Sequence, residues 1–363
     1  MAMSKSRQMD IAPDQFLNQC GLSNFGCPGH ESSFPAHAPA ARRQPNGNPG
    51  SNTTQEDNPV IKAFRIVTVC SLSVAFASSI AWAQTYKQVD VPDSTAVFTE
   101  LTGGPNLEGT SVGAWGDAAG ALHGFSLTAK GVFTPVVPPG STFTTPNFIN
   151  FQGVIVGAYL DSATPIPVSH GFILVGEKYN VVDVPGAAGT AFTGINDLGE
   201  ISGNTCSDPA CGNTGNANTT HSFVRSTKGV FTFFDPPGAT SSAANTVSLL
   251  GAVVGVFTDT TGELNHGYLL QLGRFTTIDF PGATTGTFAG GGNLENDIVG
   301  IYNFVNCTTD CNHGFLRHNG VFTSFDFPGG AIFTDATGIN ALGVIVGVFT
   351  DSSGNSHGFI RTP

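Results

Sequence analysis

No stretch of residues 84–363 carries the three-and-four spacing of apolar side chains that an amphipathic helix needs, so a helical or α/β reading of this region is excluded. Cations are scarce as well: 8 Lys and Arg stand against 21 Asp and Glu there, a formal charge of 8 − 21 = −13. Such a balance opposes nucleic-acid binding and favours solubility. Gly-x-Ser-x-Gly, His-Glu-x-x-His and a phosphate-binding loop are all missing, which removes the common hydrolase, zinc-protease and nucleotide-binding readings. Trp115 is the one Trp after residue 83, and in place of the usual Tyr or Phe of its strand it reads as core rather than as a sugar platform. Glu100, Glu108, Glu200 and Glu295 break the local pattern, but nothing pairs any two of them for catalysis.

What is present is a repeat. Pro92, Pro139, Pro185, Pro237, Pro281 and Pro328 form one set, and His123, His170, His221, His266, His313 and His357 another, with successive spacings of 44 to 52 residues. That period belongs to propeller blades and exceeds that of leucine-rich or ankyrin repeats. Each copy holds four short alternating stretches. In the last copy they are strand a, Val321 to Asp326; b, Ile332 to Ile339; c, Val344 to Thr350; and d, His357 to Arg361.

The turn chemistry groups these strands. Asn-x-x-Gly between b and c, Asp-x-x-Gly between c and d, and Asn319-Gly320 between d and a are hairpin signals. Pro-Gly between a and b lacks the amide that a central strand donates, so pairing stops there and the chain crosses to the next sheet. A meander b-c-d-a follows. The region begins with a lone strand a, Tyr86 to Val91, and ends after a strand d. The expected fold is all-β: a six-bladed β-propeller of four-stranded blades, closed by the N-terminal strand completing the last blade, which removes an open edge.

The recurring Gly of strand c (Gly113, Gly157, Gly203, Gly255, Gly300, Gly347) predicts close backbone approach. His and Asp recur in nearly every copy, with Val137 replacing Asp once, and a residue in every blade cannot be catalytic in every blade. A structural His-to-Asp or His-to-backbone hydrogen bond is the expectation.

Ahead of the repeat, residues 1–59 are rich in Pro, Asn, Ser and Gln and read as a disordered leader, or as untranslated if Val60 marks the start. Cys20, Cys27, His30 and His37 lack the spacing of a zinc finger. Residues 60–83 read as a signal peptide: Lys62 and Arg65, an apolar run from Ile66 to Ala77, and Ala81-Trp82-Ala83 before the cut. An uncleaved anchor is the alternative. Residues 84–363 form a single domain, secreted or periplasmic, with no membrane span after cleavage.

Symmetry breaks in the c-d loops. From the strand-c Gly to the His the six copies count 10, 13, 18, 11, 13 and 10 residues. These loops and the a-to-b crossings open on one face, the candidate binding face, represented by Tyr159, Asp161, Asp208, Asn213, Asn216, Asp259, Asp310 and Asp351. Cys206 with Cys211 and Cys307 with Cys311 are expected disulfides; a metal site from Cys307, Cys311 and His313 is the alternative to the second. No cofactor is expected. The Asp-x-x-Gly turns permit calcium but lack the alternating ligands of a dedicated loop.

The run Gly338-Ile339-Asn340-Ala341-Leu342-Gly343-Val344-Ile345-Val346-Gly347, followed by Asp351 to Gly354 and His357-Gly358-Phe359, resembles the bacterial HAF-type extracellular repeat family. The resemblance covers residues 84–363 and implies an exported protein, without a catalytic motif to carry over. Ser248 for the turn Asn, Ser222 for the Gly after His and Val137 for Asp depart from the pattern. Two functions fit: an exported binding or surface-interaction protein holding an extracellular polysaccharide, envelope component or protein, or a secreted hydrolase or lyase acting on an extracellular polymer.

Overall fold

The computed structural model describes residues 84–363 apart from 163–165, 213–217, 262–264 and 304–311. The leader, the signal segment, Cys307, Cys311, Asn213, Asn216 and Asp310 lie outside the described residues. All regular structure described is β-strand. After β1 (Thr85–Val89), the strands follow in sequence as β2 (Ala96–Gly103), β3 (Ser111–Asp117), β4 (Leu122–Leu127) and β5 (Phe133–Val136). Next come β6 (Ser141–Ile149), β7 (Ile155–Asp161), β8 (Ser169–Val175) and β9 (Lys178–Val181). The middle of the chain supplies β10 (Gly189–Ile195), β11 (Ile201–Cys206), β12 (Thr220–Arg225), β13 (Phe231–Phe234), β14 (Ser241–Val247), β15 (Val253–Thr258), β16 (Asn265–Gln271) and β17 (Arg274–Ile278). The last are β18 (Gly286–Gly292), β19 (Ile298–Asn303), β20 (Asn312–His318), β21 (Val321–Phe325), β22 (Phe333–Ile339), β23 (Ile345–Thr350) and β24 (Ser356–Thr362).

Pairing runs antiparallel inside consecutive sets of four, β2 to β5, β6 to β9, and so on, as the turns predict. The final set is β22, β23, β24 and then β1, with Lys87 opposite Ile360 and Val89 opposite Gly358. Between sets the ladder does not continue as one closed sheet. Single parallel bridges, Leu122 with Phe143, Asn265 with Gly286 and Asn312 with Phe333, join some neighbours, and the strands fall into sheets of 12, 4 and 8. Strand a also ends one or two residues earlier than its sequence suggests. Val91 gives its amide to Thr99 Oγ1 at 3.1 Å and Phe327 gives its own to Thr334 Oγ1 at 3.1 Å, so the residue before each Pro leaves the ladder.

The hairpins follow their residues. Asn319 and Gly320 both have positive φ (50° and 81°), the requirement of a type I′ turn. At the b-c turns Asn196 Oδ1 accepts from Leu198 N and Glu200 N, and Gly199 takes φ 88°. The side chain therefore shapes its own turn.

The core explains the strand-c glycines. A Cβ on Gly347 would stand 1.9 Å from the Asp335 carbonyl oxygen and 2.8 Å from the Phe359 ring, and Gly300 is boxed in the same way by Phe288 O and Phe315. The aromatic two residues after each His lies flat in that space: Phe125, Phe172, Phe223, Tyr268, Phe315 and Phe359 are all buried. Burying each such side chain contributes roughly 1.5–3 kcal/mol. Any side chain at the Gly would displace it.

What ties one set of four to the next is a pair of side-chain girdles on the b strands. In the first, Thr102 donates to Pro146 O, Asn147 to Phe192 O at 2.8 Å, Thr193 to Ala244 O, Asn245 to Ala289 O at 2.8 Å, and Thr337 to Leu101 O at 2.7 Å. The last of these joins the sixth set back to the first. Only Gly290, which has no side chain, leaves a gap. In the second girdle the turn Asn residues do the same: Asn106 to Asn150 O, Asn150 to Asn196 O, Asn196 to Ser248 O, Asn293 to Asn340 O, and Asn340 to Asn106 O at 3.5 Å. Here the gap is at Ser248. A small cavity between these b strands is lined by Thr102, Asn147, Thr193, Asn245, Gly290 and Thr337.

Candidate functional site

Because neighbouring strands are antiparallel, the a-to-b crossings and c-d loops share one face, and the b-c turns and d-a hairpins share the other. The girdles hold all six sets the same way up. On the loop face each strand d opens with His, and the hairpin with strand a brings a carboxylate against it. His170 Nδ1 meets Asp183 at 2.9 Å, His221 meets Asp235 at 3.0 Å, His266 meets Asp279 at 2.8 Å, His313 meets Asp326 at 3.0 Å and His357 meets Asp90 at 2.6 Å. The expected His-to-Asp hydrogen bond is therefore present in five sets.

Register on the other side sets each ring against strand c. His357 lies opposite Phe349 and His266 opposite Phe257, so the imidazoles stack on these aromatics with centroids 5.2 and 5.0 Å apart. Phe327 from the Asp-Phe-Pro-Gly crossing covers Phe349 from behind at 3.7 Å, and Phe280 covers Tyr302 at 3.6 Å. These sandwiches fix the His rings while the Asp carboxylates stay exposed; the side chains of Asp279 and Asp90 retain 50% and 48% of their accessibility.

The first set departs from this scheme. Val137 occupies the place of the strand-a carboxylate, and His123 turns its Nε2 to Asp117 Oδ2 of the c-d turn at 3.0 Å. Hydrogen bonding from His123, then from the Ala121 amide, holds the Asp117 carboxyl below its ordinary value. Trp115 stacks on His123 at 4.2 Å, the closest of the His stacks, and is half-buried. Asp93 stands near the same imidazole, its own carboxyl pulled down chiefly by the Thr95 amide and hydroxyl. Trp115, His123, Asp117 and Asp93 therefore make a half-open indole edge beside two ionised carboxylates. The expectation that Trp115 belongs to the core holds in part, since the half-buried indole packs against the cluster of Val89, Leu101 and Phe125.

The other expected face residues divide. Asp161 accepts Val168 N at 2.9 Å and lies 3.5 Å from His170, Asp259 accepts from Thr261, and Asp351 accepts Ser353 N and Asn355 N at 2.8 and 2.9 Å. They lie on the face as turn-forming carboxylates. Tyr159 is buried against His170 and Phe172, and burial raises its hydroxyl pKa. Asp208 is buried too, its carboxylate accepting Gly212 N at 2.8 Å inside the Cys206–Cys211 disulfide loop. Both stand behind the face. Among the described residues no three His, Cys, Asp or Glu side chains gather as cation ligands, and no helix is long and apolar enough to cross a membrane.

Charge separates the two faces. Among the described residues no Lys or Arg lies on the loop face: Lys130, Lys178, Arg225, Lys228, Arg274, Arg317 and Arg361 all sit in or beside d-a hairpins or at the matching strand ends, and Lys87 is in the middle of β1. Among the described residues the charged side chains of the loop face are carboxylates, with His beside them.

No family model matches this chain, and no curated protein matches it by sequence. Solved structures do resemble it. A mutant of AofleA from Arthrobotrys oligospora is 12% identical with a TM-score of 0.47, over 76% of this chain and 86% of that one. The Aleuria aurantia lectin, described as a six-bladed β-propeller with a fucose recognition mode, is 13% identical with a TM-score of 0.46, over 73% and 91%. A putative TolB from Agrobacterium tumefaciens is 12% identical with a TM-score of 0.46, over 69% and 86%. Similarity at this level carries nothing about ligand or activity to this chain.

Proposed function

We propose that residues 84–363 form a closed six-bladed β-propeller of the HAF-type repeat family, exported to the periplasm or beyond, that binds a neutral or amino-bearing extracellular polysaccharide on its loop face. The girdle links from Thr337 to Leu101 and from Asn340 to Asn106 support closure, together with the pairing of β1 with β24. A disulfide between Cys206 and Cys211 supports an oxidising compartment.

The observation that carries the ligand class is the cation-free acidic face with Trp115 at its one asymmetric corner. Carboxylates without neighbouring Lys or Arg repel acidic polymers and accept from hydroxyl or ammonium groups. The half-open edge of the Trp115 indole offers apolar contact to the C–H groups of a sugar ring. The hydrogen-bonded chain Asp235 to Ser242 to Ser222 to Tyr268 is closed off from solvent by burial of both serines.

Trp115 reports on its own site. Titrating the protein with neutral glucan, chitosan and alginate oligosaccharides while following Trp emission should show a saturable change with the first or second class and none with the acidic third. Asp117→Asn should weaken that binding about tenfold, as expected for loss of a charge-assisted hydrogen bond of about 1.4 kcal/mol. Flat emission with all three classes, or tightest binding to alginate, would overturn the proposal.

A further inference from the structure

The face opposite the loops is built of short regular turns, yet it is the more apolar of the two. Each b-c turn holds a large apolar side chain out at its tip: Leu107, Phe151, Leu198, Leu250, Leu294 and Leu342, one from every set of four, with accessibilities of 43% to 76%. Their turns are drawn together round the axis by the Asn girdle, so the six tips form an annulus. In a turn closed by its own Asn side chain, nothing in the local fold needs a Leu at a solvent-exposed position. Three directly follow the turn Asn (Leu107, Phe151, Leu294) and three stand one residue later (Leu198, Leu250, Leu342), so every turn offers an exposed apolar tip, and repeated exposure of this kind is the mark of an interaction surface.

Round that annulus lies a basic rim. The d-a hairpins place Lys130, Lys178, Lys228 and Arg274 on the same side, all exposed, and Arg317 half-exposed. The acids among the turns are partly engaged within the fold: Asp197 accepts Phe151 N, Glu200 accepts from Asn196 Nδ2, and Asp297 meets both Asn293 Nδ2 and His318. Glu108, Glu177 and Glu295 remain exposed.

We propose that this face docks on an anionic lipid surface, the apolar tips entering the headgroup layer and the basic rim pairing with lipid phosphates. A second copy placed face to face would set rim cations against rim cations at the same radius. Stacked head to tail, it would press the apolar annulus onto the carboxylate-and-His face. An anionic bilayer pairs with the cationic rim and receives the apolar tips, while the carboxylates beside them, Glu108, Asp197 and Glu295, keep the turns from entering beyond the headgroup layer. The loop face then points away from the bilayer.

The test is co-sedimentation of the full chain with vesicles of phosphatidylcholine alone or mixed with phosphatidylglycerol. Binding should require the anionic lipid, fall as salt is raised, weaken roughly fivefold for each of Lys130→Gln and Lys228→Gln, and be lost in the triple variant Leu198→Ser, Leu250→Ser, Leu342→Ser. Val137→Ser with Ile332→Ser, exposed apolar positions on the loop face, should leave it unchanged. Circular dichroism and the thermal midpoint of each variant establish that it is folded. Binding that survives both the Lys and the Leu changes in folded protein would belong to the preceding apolar segment and overturn the proposal. So would absence of binding, or lipid-free self-association abolished by the Leu changes, which would make a second copy the occupant.

Discussion

His357 holds Asp90 at 2.6 Å, joining the last strand of the chain to the residue just after its first. The pair lies on the surface, and its own contribution is below about 1 kcal/mol. The strand behind it matters more, since β1 completes the sheet edge of β24 and buries Val89. Asp90→Asn should therefore lower stability by less than about 1 kcal/mol. Deleting residues up to Val91 should cost several times as much and make the protein associate through the bare β24 edge. Urea denaturation and size exclusion separate the two effects; equal losses from both changes would mean that the strand adds nothing to closure.

The girdle gap at Ser248 can be filled. Ser248 Oγ accepts Ala252 N as the turn Asn residues do with their Oδ1, but no amide remains to reach the next set. Ser248→Asn should keep the turn and add a donor toward Asn293 O, stabilising by about 1 kcal/mol. Asn293→Ser, which removes the existing link to Asn340 O, should destabilise by a similar amount. A thermal-melt comparison with the parent checks the pair, and a null result for both would show that the girdle carries no net energy.

Leu272 occupies the first position of a type I′ hairpin with φ 50° and 95% of its surface exposed, where the equivalent turn between β20 and β21 has Asn319. An L-residue in the left-handed region is strained by about 1 kcal/mol or more, and Asn tolerates it best. Leu272→Asn should raise stability by about 1 kcal/mol, read as a higher thermal midpoint. An unchanged or lower midpoint would mean that Leu272 is held by something other than its turn.

Much of this was legible in the sequence because antiparallel hairpins transmit register. Once Asn319-Gly320 fixes a two-residue turn, His313 and Asp326 must lie beside each other, and the His–Asp bonds follow. The girdles were not legible. Asn340 announces a turn through Oδ1, but its Nδ2 points to a neighbour 234 residues away, and no local pattern records that distance. In the other girdle Thr102, Thr193 and Thr337 share their role with Asn147 and Asn245, and Gly290 lacks it, so no single residue type marks the position.

Asp335 gives the sharpest pH dependence. It follows Thr334 on β22, at a place held by Thr145, Ala191, Ala243 and Phe288 in other sets and by Glu100 in the first. The residue is half-buried by surface area, but its carboxyl is desolvated, and this burial pushes its pKa up to about 7 from 3.8. The folded state then holds a proton that the unfolded chain gives up near pH 4. The contribution is fully present below that value and is lost as pH rises through 7, because above it folding must bury a charge or keep a proton against the solvent. Stability of the parent should decline between pH 4 and 7 more steeply than that of Asp335→Asn, whose amide has no charge to bury, and the variant should be the more stable at pH 8. Parallel stability curves for the two proteins across that window, from urea denaturation at half-unit steps, would show that the carboxyl is solvated after all.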